Sequence, residues 1–263
     1  VQLAGRLREG CTGLRPNNLS SSNPRVQTLR RLIGRRSARR EEGVFVVEGE
    51  PLVRQAVAAG WEIEAQFVAP DGEAVETSGE VFHLAPNVIE RVASTESPRP
   101  LLATVRRRPV GLPAAVDLVV VADHLADPGN LGTIIRSAEA AGASAVMVTG
   151  DTVDPFSPKV VRASAGSLFR IPVVEGSRAD LVRCGLRLVG TSSHRGAVYS
   201  DVDLRTGVAL VLGNEAHGLD EDDPATQITE WVTIPHVGAA ESLNVAMAAT
   251  VLLFEVVRQR RGE

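Results

Sequence analysis

Aromatic side chains are scarce, with six Phe, two Trp and one Tyr among 263 residues, so base stacking is not expected to be the main grip on any nucleic acid. The two cysteines, Cys11 and Cys184, lie far apart and match neither a disulfide framework nor a zinc spacing. His83, His124, His194, His217 and His236 are scattered as well, and no metal site is expected. No apolar run approaches the roughly eighteen residues that mark a membrane span. The N-terminus carries arginines without the apolar segment of a signal peptide. A cytoplasmic globular protein that does not engage membranes is the expectation. Lysine is nearly missing too: Lys159 stands alone among 28 cationic residues. The rest are arginines, whose planar fork suits phosphate.

A hydrophobic content of 44% can fill one large domain or two modest ones. The net charge of -4 is unevenly spread. From Val1 to Arg40 ten arginines face a single acid, Glu9. The stretch RVQTLRRLIGRRSARR (25–40) holds seven of them and no carboxylate. Two readings stand side by side: a solvated basic helix face in an arginine-biased chain, or a polyanion-binding segment in which Arg30, Arg31, Arg35, Arg36, Arg39 and Arg40 meet phosphates.

The first 22 residues mix Gly, Asn, Ser and Pro without periodicity and read as a flexible extension. Asn23-Pro24 then opens a helix with Val26, Leu29, Leu32 and Ile33 at helical spacing. Short strands at VFVVEG, EIEAQFVA and VFHLA alternate with helices at EPLVRQAVAAG and PNVIERVAS, which predicts a small α/β domain over 23–108. Prolines and a glycine mark a linker at 109–116. From 117 to 263 the pattern restarts with DLVVVAD, an unbroken apolar run of the kind buried on both faces of a parallel sheet. A βα succession follows through AVMVTG, RIPVVE, LRLVGTS, GVALVLGNE and WVTIPH and predicts one parallel sheet.

Ligands of open α/β sheets bind beyond the carboxyl ends of the strands, so the loops there carry the candidate chemistry. In DPGNLGTIIRSAEAAG (127–142) Arg136 lies beside the apolar stripe, flanked by Gly132 and Ala140, which predicts open space over its face. A cation near a helix N-terminus opposes the macrodipole, which points either to a bound anion or to an ion pair with a carboxylate such as Glu139. In LVLGNEAHGL (210–219) Gly213 permits close backbone approach and Glu215 can accept from a donor. In TIPHVGAAESLNVAMAATVLLFE (233–255) the helix from Val245 to Phe254 is apolar all round, which predicts burial. Ser242 then occupies the N-cap position, with Asn244 a polar residue in the buried first turn.

Taken together, these three segments resemble the SpoU, or TrmH-type, branch of the SPOUT RNA methyltransferases, each matching one family motif in order and spacing. The resemblance covers about residues 117–260. VFVVEGEPLVRQAVAAG resembles the RNA-recognition domain that precedes the catalytic domain in rRNA-modifying members. The resemblance implies a parallel α/β/α domain with a deep trefoil knot, S-adenosylmethionine bound in bent form within it, a homodimer whose partner completes the site, and 2′-O-ribose methylation of RNA, chiefly 23S rRNA. DNA, which lacks the 2′-hydroxyl, is not an expected substrate. A tRNA methyltransferase and a non-catalytic knotted RNA-binding or ribosome-assembly protein are the alternatives. Carried over by position, Asn130 and Arg136 belong at the reacting ribose, Glu215 is the acid of the second motif, and Ser242 and Asn244 are the polar pair of the third. Gly213, Asn214, Ile234 and Leu243 would hold the cofactor, with Thr191 and Ser192 from the preceding strand loop.

Overall fold

The structure, a computed structural model, describes residues 18–95, 97–220, 227–239 and 241–262. Of the N-terminal extension, 1–17 lie outside these residues. Helix α1 (Pro24–Gly34) starts where Asn23 accepts the Arg25 N–H and Pro24 takes the first turn, positions that suit a cap and a residue with no N–H to offer. Its apolar stripe buries Val26, Leu29 and Leu32. The basic run is not one helix: the backbone extends at Arg35 and restarts as α2 (Arg36–Glu42), which stops at Gly43 in the left-handed region, φ 67°.

The N-terminal sheet contains β1 (Val44–Glu48), β2 (Ile63–Val68), β3 (Glu80–His83) and β4 (Leu101–Arg106) in the order β1-β4-β2-β3. Helices α3 (Glu50–Ala58) and α4 (Val88–Val92) connect them. The sequence reading placed no strand at β4, although it pairs with both β1 and β2 at the centre of the sheet.

The second sheet has seven strands, all parallel: β5 (Leu118–Asp123), β6 (Ala145–Thr149), β7 (Val173–Glu175), β8 (Arg187–Thr191), β9 (Ala197–Val198), β10 (Val208–Leu212) and β11 (Glu230–Thr233). Their order is β7-β6-β5-β10-β8-β11-β9. β5, β6 and β10 are buried at every position, as continuous apolar runs require in a sheet covered on both faces. β9, a two-residue edge strand, was not anticipated. The helices are α5 (Pro128–Ala140), α6 (Pro158–Ala163), α7 (Arg178–Arg183) and α8 (Val245–Arg261). Among the described residues no helix is long and apolar enough to cross a membrane.

The two sheets share a core. Phe45, Val47 and Val53 from the small sheet's side pack with Phe156, Leu168 and Phe169 from the large one. The scarce aromatics are concentrated here: Phe45 lies 5.7 Å from Trp61 and 5.0 Å from Phe156, and Trp61 lies 5.8 Å from Phe169 between ring centres. The Trp61 indole N–H donates to the Phe169 carbonyl at 2.9 Å. Each such ring pair adds about 0.5–1.5 kcal/mol beyond area burial.

Charge binds the same seam and revises the role expected of α2. Arg39 is buried, 4% exposed. Its Nε and Nη2 lie 2.7 and 2.6 Å from Asp154 Oδ2, and its Nη1 donates to the Leu32 carbonyl at the end of α1. It is a structural cation with no surface to offer RNA. Arg36 donates to the Thr152 carbonyl at 3.0 Å and Arg40 pairs with Glu175 at 2.7 Å, while Arg31 pairs locally with Glu42. Among the described residues only Arg30 and Arg35 of the six candidates have side chains without a protein partner.

Removing one member of a buried ion pair strands the other, at a cost of about 3–5 kcal/mol. Arg39→Met is expected to lower stability in urea unfolding by about that amount. The double variant Arg39→Met/Asp154→Leu is expected to regain most of it, because two apolar side chains leave no orphaned charge.

Candidate active site

β5, β10, β8 and β11 are neighbours and parallel, so the loops after them leave the same edge. The first loop turns at His124, whose φ of 54° is unusual for a residue with a Cβ. Its carbonyl accepts from Asn214 Nδ2 at 2.8 Å. Asp127 caps α5 by accepting the Asn130 N–H at 2.8 Å. The second loop folds on itself, Asn214 Oδ1 accepting from the N–H groups of Ala216 and His217 at 2.9 and 3.2 Å.

Three of the predicted site residues join in one chain of hydrogen bonds across the loops. Glu215 accepts from the Ala126 N–H at 3.1 Å, the Asp127 N–H at 3.0 Å and Asn130 Nδ2 at 3.0 Å. Asn130 Oδ1 in turn accepts from Asn244 Nδ2 at 2.9 Å. Asn244 Oδ1 closes the chain on the Ala246 and Met247 N–H groups at the start of α8. Burial pushes the Glu215 carboxyl up, but the hydrogen bonds from Asn130, Ala126 and Asp127 outweigh it and hold the group below its ordinary value.

These residues border a cavity of about 980 Å³, at the upper end of the range for small-molecule sites. Val232, Ile234, Leu219 and Leu252 supply apolar walls, and Thr191, Ser192, Gly213, Asn214, Ser242 and Leu243 also line it. Thr191 and Ser192 are tied to backbone: the Thr191 hydroxyl donates to the Val211 carbonyl at 3.1 Å, and Ser192 Oγ accepts from the N–H groups of His194 and Arg195, each at 3.1 Å. Sequence reasoning missed His236, which lines the cavity and has a buried Nε2 with no partner among the described residues. Its signal was its place in the third segment, directly after Pro235. A buried orphaned nitrogen beside an apolar wall suits a ligand with a flat polar heterocycle, so the residues present fit an adenosine-bearing cofactor.

Several expectations change. Asn244, not Ser242, is the N-cap of α8, and it is exposed to the cavity instead of buried. α8 is not buried all round: Met247, Val251 and Phe254 are 58%, 37% and 48% exposed and share one face by their spacing. Gly213 is required by its own loop, because a Cβ there would meet the Gly218 carbonyl carbon at 2.4 Å, and its backbone lines the cavity. Gly132 leaves no open space either. A Cβ at that position would lie 2.3 Å from the Cβ of Ala163 in α6, so the glycine lets α5 and α6 approach closely.

Arg136 also stands in a different setting. It is ninth of the thirteen residues of α5, too far along to oppose the dipole of the first turn. Glu139 is not its counterion, because that carboxylate is held by Arg170 at 3.0 Å. Among the described residues the Arg136 side chain is exposed and unpaired. It does not border the cavity of its own chain. It lies six positions along the helix from Asn130, which places the two side chains about 120° apart around the axis and about 9 Å along it.

The model of the SpoU rRNA methylase family matches residues 117–254, and that of the MRM3-like substrate binding domain matches 23–103. A 23S rRNA (uridine(2479)-2′-O)-methyltransferase of Streptomyces viridochromogenes is 33% identical over 92% of both chains. A 23S rRNA (guanosine(2553)-2′-O)-methyltransferase of Bacillus subtilis is also 33% identical, over 90% of this chain and 97% of its own. Among solved structures, the SpoU methyltransferase AviRb from Streptomyces viridochromogenes in complex with the cofactor AdoMet has a TM-score of 0.83 at 33% identity, covering 91% of this chain and 98% of that one. The chain belongs to the SpoU rRNA methylase family.

Glu215 ties the first two loops as an anion, and its lowered pKa fixes the sign of the pH response. Its contribution is full above the ordinary glutamate value of about 4.3 and is lost as pH falls through the lower folded value. Glu215→Gln is expected to cost about 1 kcal/mol at pH 7, a charged hydrogen bond discounted for exposure. Thermal unfolding of both proteins from pH 7 to pH 3 checks this: the gap should close only at the acid end.

Proposed function

We propose that this protein is a cytoplasmic homodimeric enzyme that methylates a ribose 2′-hydroxyl of large-subunit ribosomal RNA, with S-adenosylmethionine held in a cavity whose loops and α8 form a trefoil knot. The observation that carries this reading is the hydrogen-bonded chain Glu215–Asn130–Asn244, which joins three loops at the border of one cavity of about 980 Å³. The AdoMet-bound relative and the two 23S rRNA 2′-O-methyltransferases support it, as does the MRM3-like domain at 23–103.

When bound, the cofactor supplies an electrophilic methyl on a sulfonium. Ile234, Leu243, Gly213 and Asn214 would hold it, with Thr191, Ser192 and His236 at its polar edges. A free hydroxyl is a weak nucleophile and must shed its proton as it attacks. Arg136 is not the base, since a guanidinium stays protonated in proteins. It clamps the RNA phosphate beside the reacting ribose and stabilises the developing alkoxide, and a phosphate oxygen or a water takes the proton. Asn130, held in orientation by Glu215 and Asn244, positions the hydroxyl, and Ser242 lies on the same rim.

Arg136 does not line its own chain's cavity, which supports a role in the partner's site within the dimer. The exposed stripe of Met247, Val251 and Phe254 supports pairing through α8, which packs against α5. Apolar side chains on one helix face favour an interface.

Arg136→Ala is expected to lower methyl transfer to ribosomal RNA at least 100-fold while the cofactor Kd, by calorimetry, moves less than about threefold. Co-refolding it with an Asn130→Ala chain is expected to restore about a quarter of wild-type activity, because half the dimers are mixed and each carries one complete site. No recovery would place the guanidinium in its own chain's site. Val251→Glu is expected to give monomers in sedimentation at micromolar protein.

A further inference from the structure

Five of the seven arginines at 25–40 have protein acceptors: Arg25 on Glu80, Arg31 on Glu42, Arg36 on Thr152, Arg39 on Asp154 and Arg40 on Glu175. Arg30 does not. On α4, which packs against α1, Arg91 is also exposed and makes no side-chain bond among the described residues. These two guanidinium groups line a single cleft of about 240 Å³, with Ser21, Ser22 and Gln27 beside them and Val26 and Val92 as its apolar part. The protein neutralises most of its neighbouring cations yet leaves two on the walls of one cleft, where like charges repel. Such a pair is relieved by an anion between them.

The chemistry of the walls narrows the anion. Ser22 offers a hydroxyl that, among the described residues, is tied to Ser20 Oγ at 2.9 Å. The positive end of α1, eleven residues long, opens beside it. Among the described residues no aromatic ring and no carboxylate lines the cleft, so they offer nothing to stack a base or hold a cation, and two planar forks match the oxygens of a phosphate. We infer that Arg30 and Arg91, on opposite helices of this cleft, seat one phosphodiester of the RNA substrate, a contact that reads backbone and not sequence. This rests on the function proposed above and adds the point at which the N-terminal domain grips the RNA.

Full-length wild-type protein, Arg30→Ala/Arg91→Ala and the control Arg205→Ala, whose exposed pair with Asp203 lies in the other domain, would be compared. Filter binding to a 23S rRNA transcript over a salt series, calorimetry with S-adenosylmethionine and methylation kinetics give the readouts. The double variant is expected to bind RNA about tenfold more weakly and to flatten the slope of log K against log salt by about 0.7–0.9, the value for one phosphate. KM for RNA rises while kcat at saturating RNA and the cofactor Kd stay as in wild type, and the control changes none of these. Unaltered affinity and slope in the double variant would overturn the cleft's role alone. Binding of inorganic phosphate that the double variant loses, with RNA affinity intact, would overturn it in favour of a free-anion site. Wild-type protein that binds no ribosomal RNA would overturn it together with the reading it rests on.

Discussion

The amide of Asn130 is the constraint on which the site depends. It donates to the Glu215 carboxylate through Nδ2 and accepts from Asn244 through Oδ1, so one side chain joins an acceptor-only group to a donor on a different loop. Few residue types can do this. A carboxylate at 130 would repel Glu215, and a hydroxyl would be too short to span both partners. The cavity border is therefore held by polar geometry, and its apolar walls at Val232 and Leu252 add volume and exclude water without setting the register of the loops.

That arrangement requires the strand order. β10 lies between β5 and β8, so the loop bearing Glu215 rises directly beside the one bearing Asn130. Asn214 reinforces the adjacency by donating to the His124 carbonyl. The left-handed backbone at His124 accompanies this contact; such a conformation costs on the order of 1 kcal/mol and persists where surrounding contacts over-determine it.

Much of this was legible in the sequence, and the failures have physical causes. The parallel sheet could be read because strands buried on both faces are continuous apolar runs. β4 was missed because LLATVR follows a Pro- and Ser-rich loop and runs through Arg107 and Arg108 straight into the linker. The loops carrying Asn130, Glu215 and Asn244 were visible as polar residues after apolar strands, but their mutual hydrogen bonds depend on strand order, which periodicity does not encode. The N-cap of α8 was misplaced by two residues because Ser and Asn both cap well. The apolar composition of α8 was read as burial, whereas it reflects one face on the sheet and another exposed. Gly132 suggests open space by its small size, and Gly213 close approach of the backbone. Only the position of Ala163 shows that the space at Gly132 is filled by α6, and that of Gly218 that the loop itself also requires Gly213.

The arginine run shows most clearly why charge counted along a chain differs from charge available to a partner. Acids are absent between Arg25 and Arg40, yet Asp154 and Glu175, more than a hundred residues away, meet Arg39 and Arg40 at the seam between the sheets. These two contacts respond differently to salt. The Arg40 and Glu175 side chains are 49% and 40% exposed and screened by added ions, whereas Arg39 and Asp154, at 5% and 6%, are not. The seam therefore persists at ionic strengths that weaken surface attraction to a polyanion. Salt can then loosen a bound polynucleotide while the two sheets stay joined through the Arg39 pair and the aromatic contacts of Phe45, Trp61, Phe156 and Phe169. A chain that used the same residue type only at its surface would lose both together.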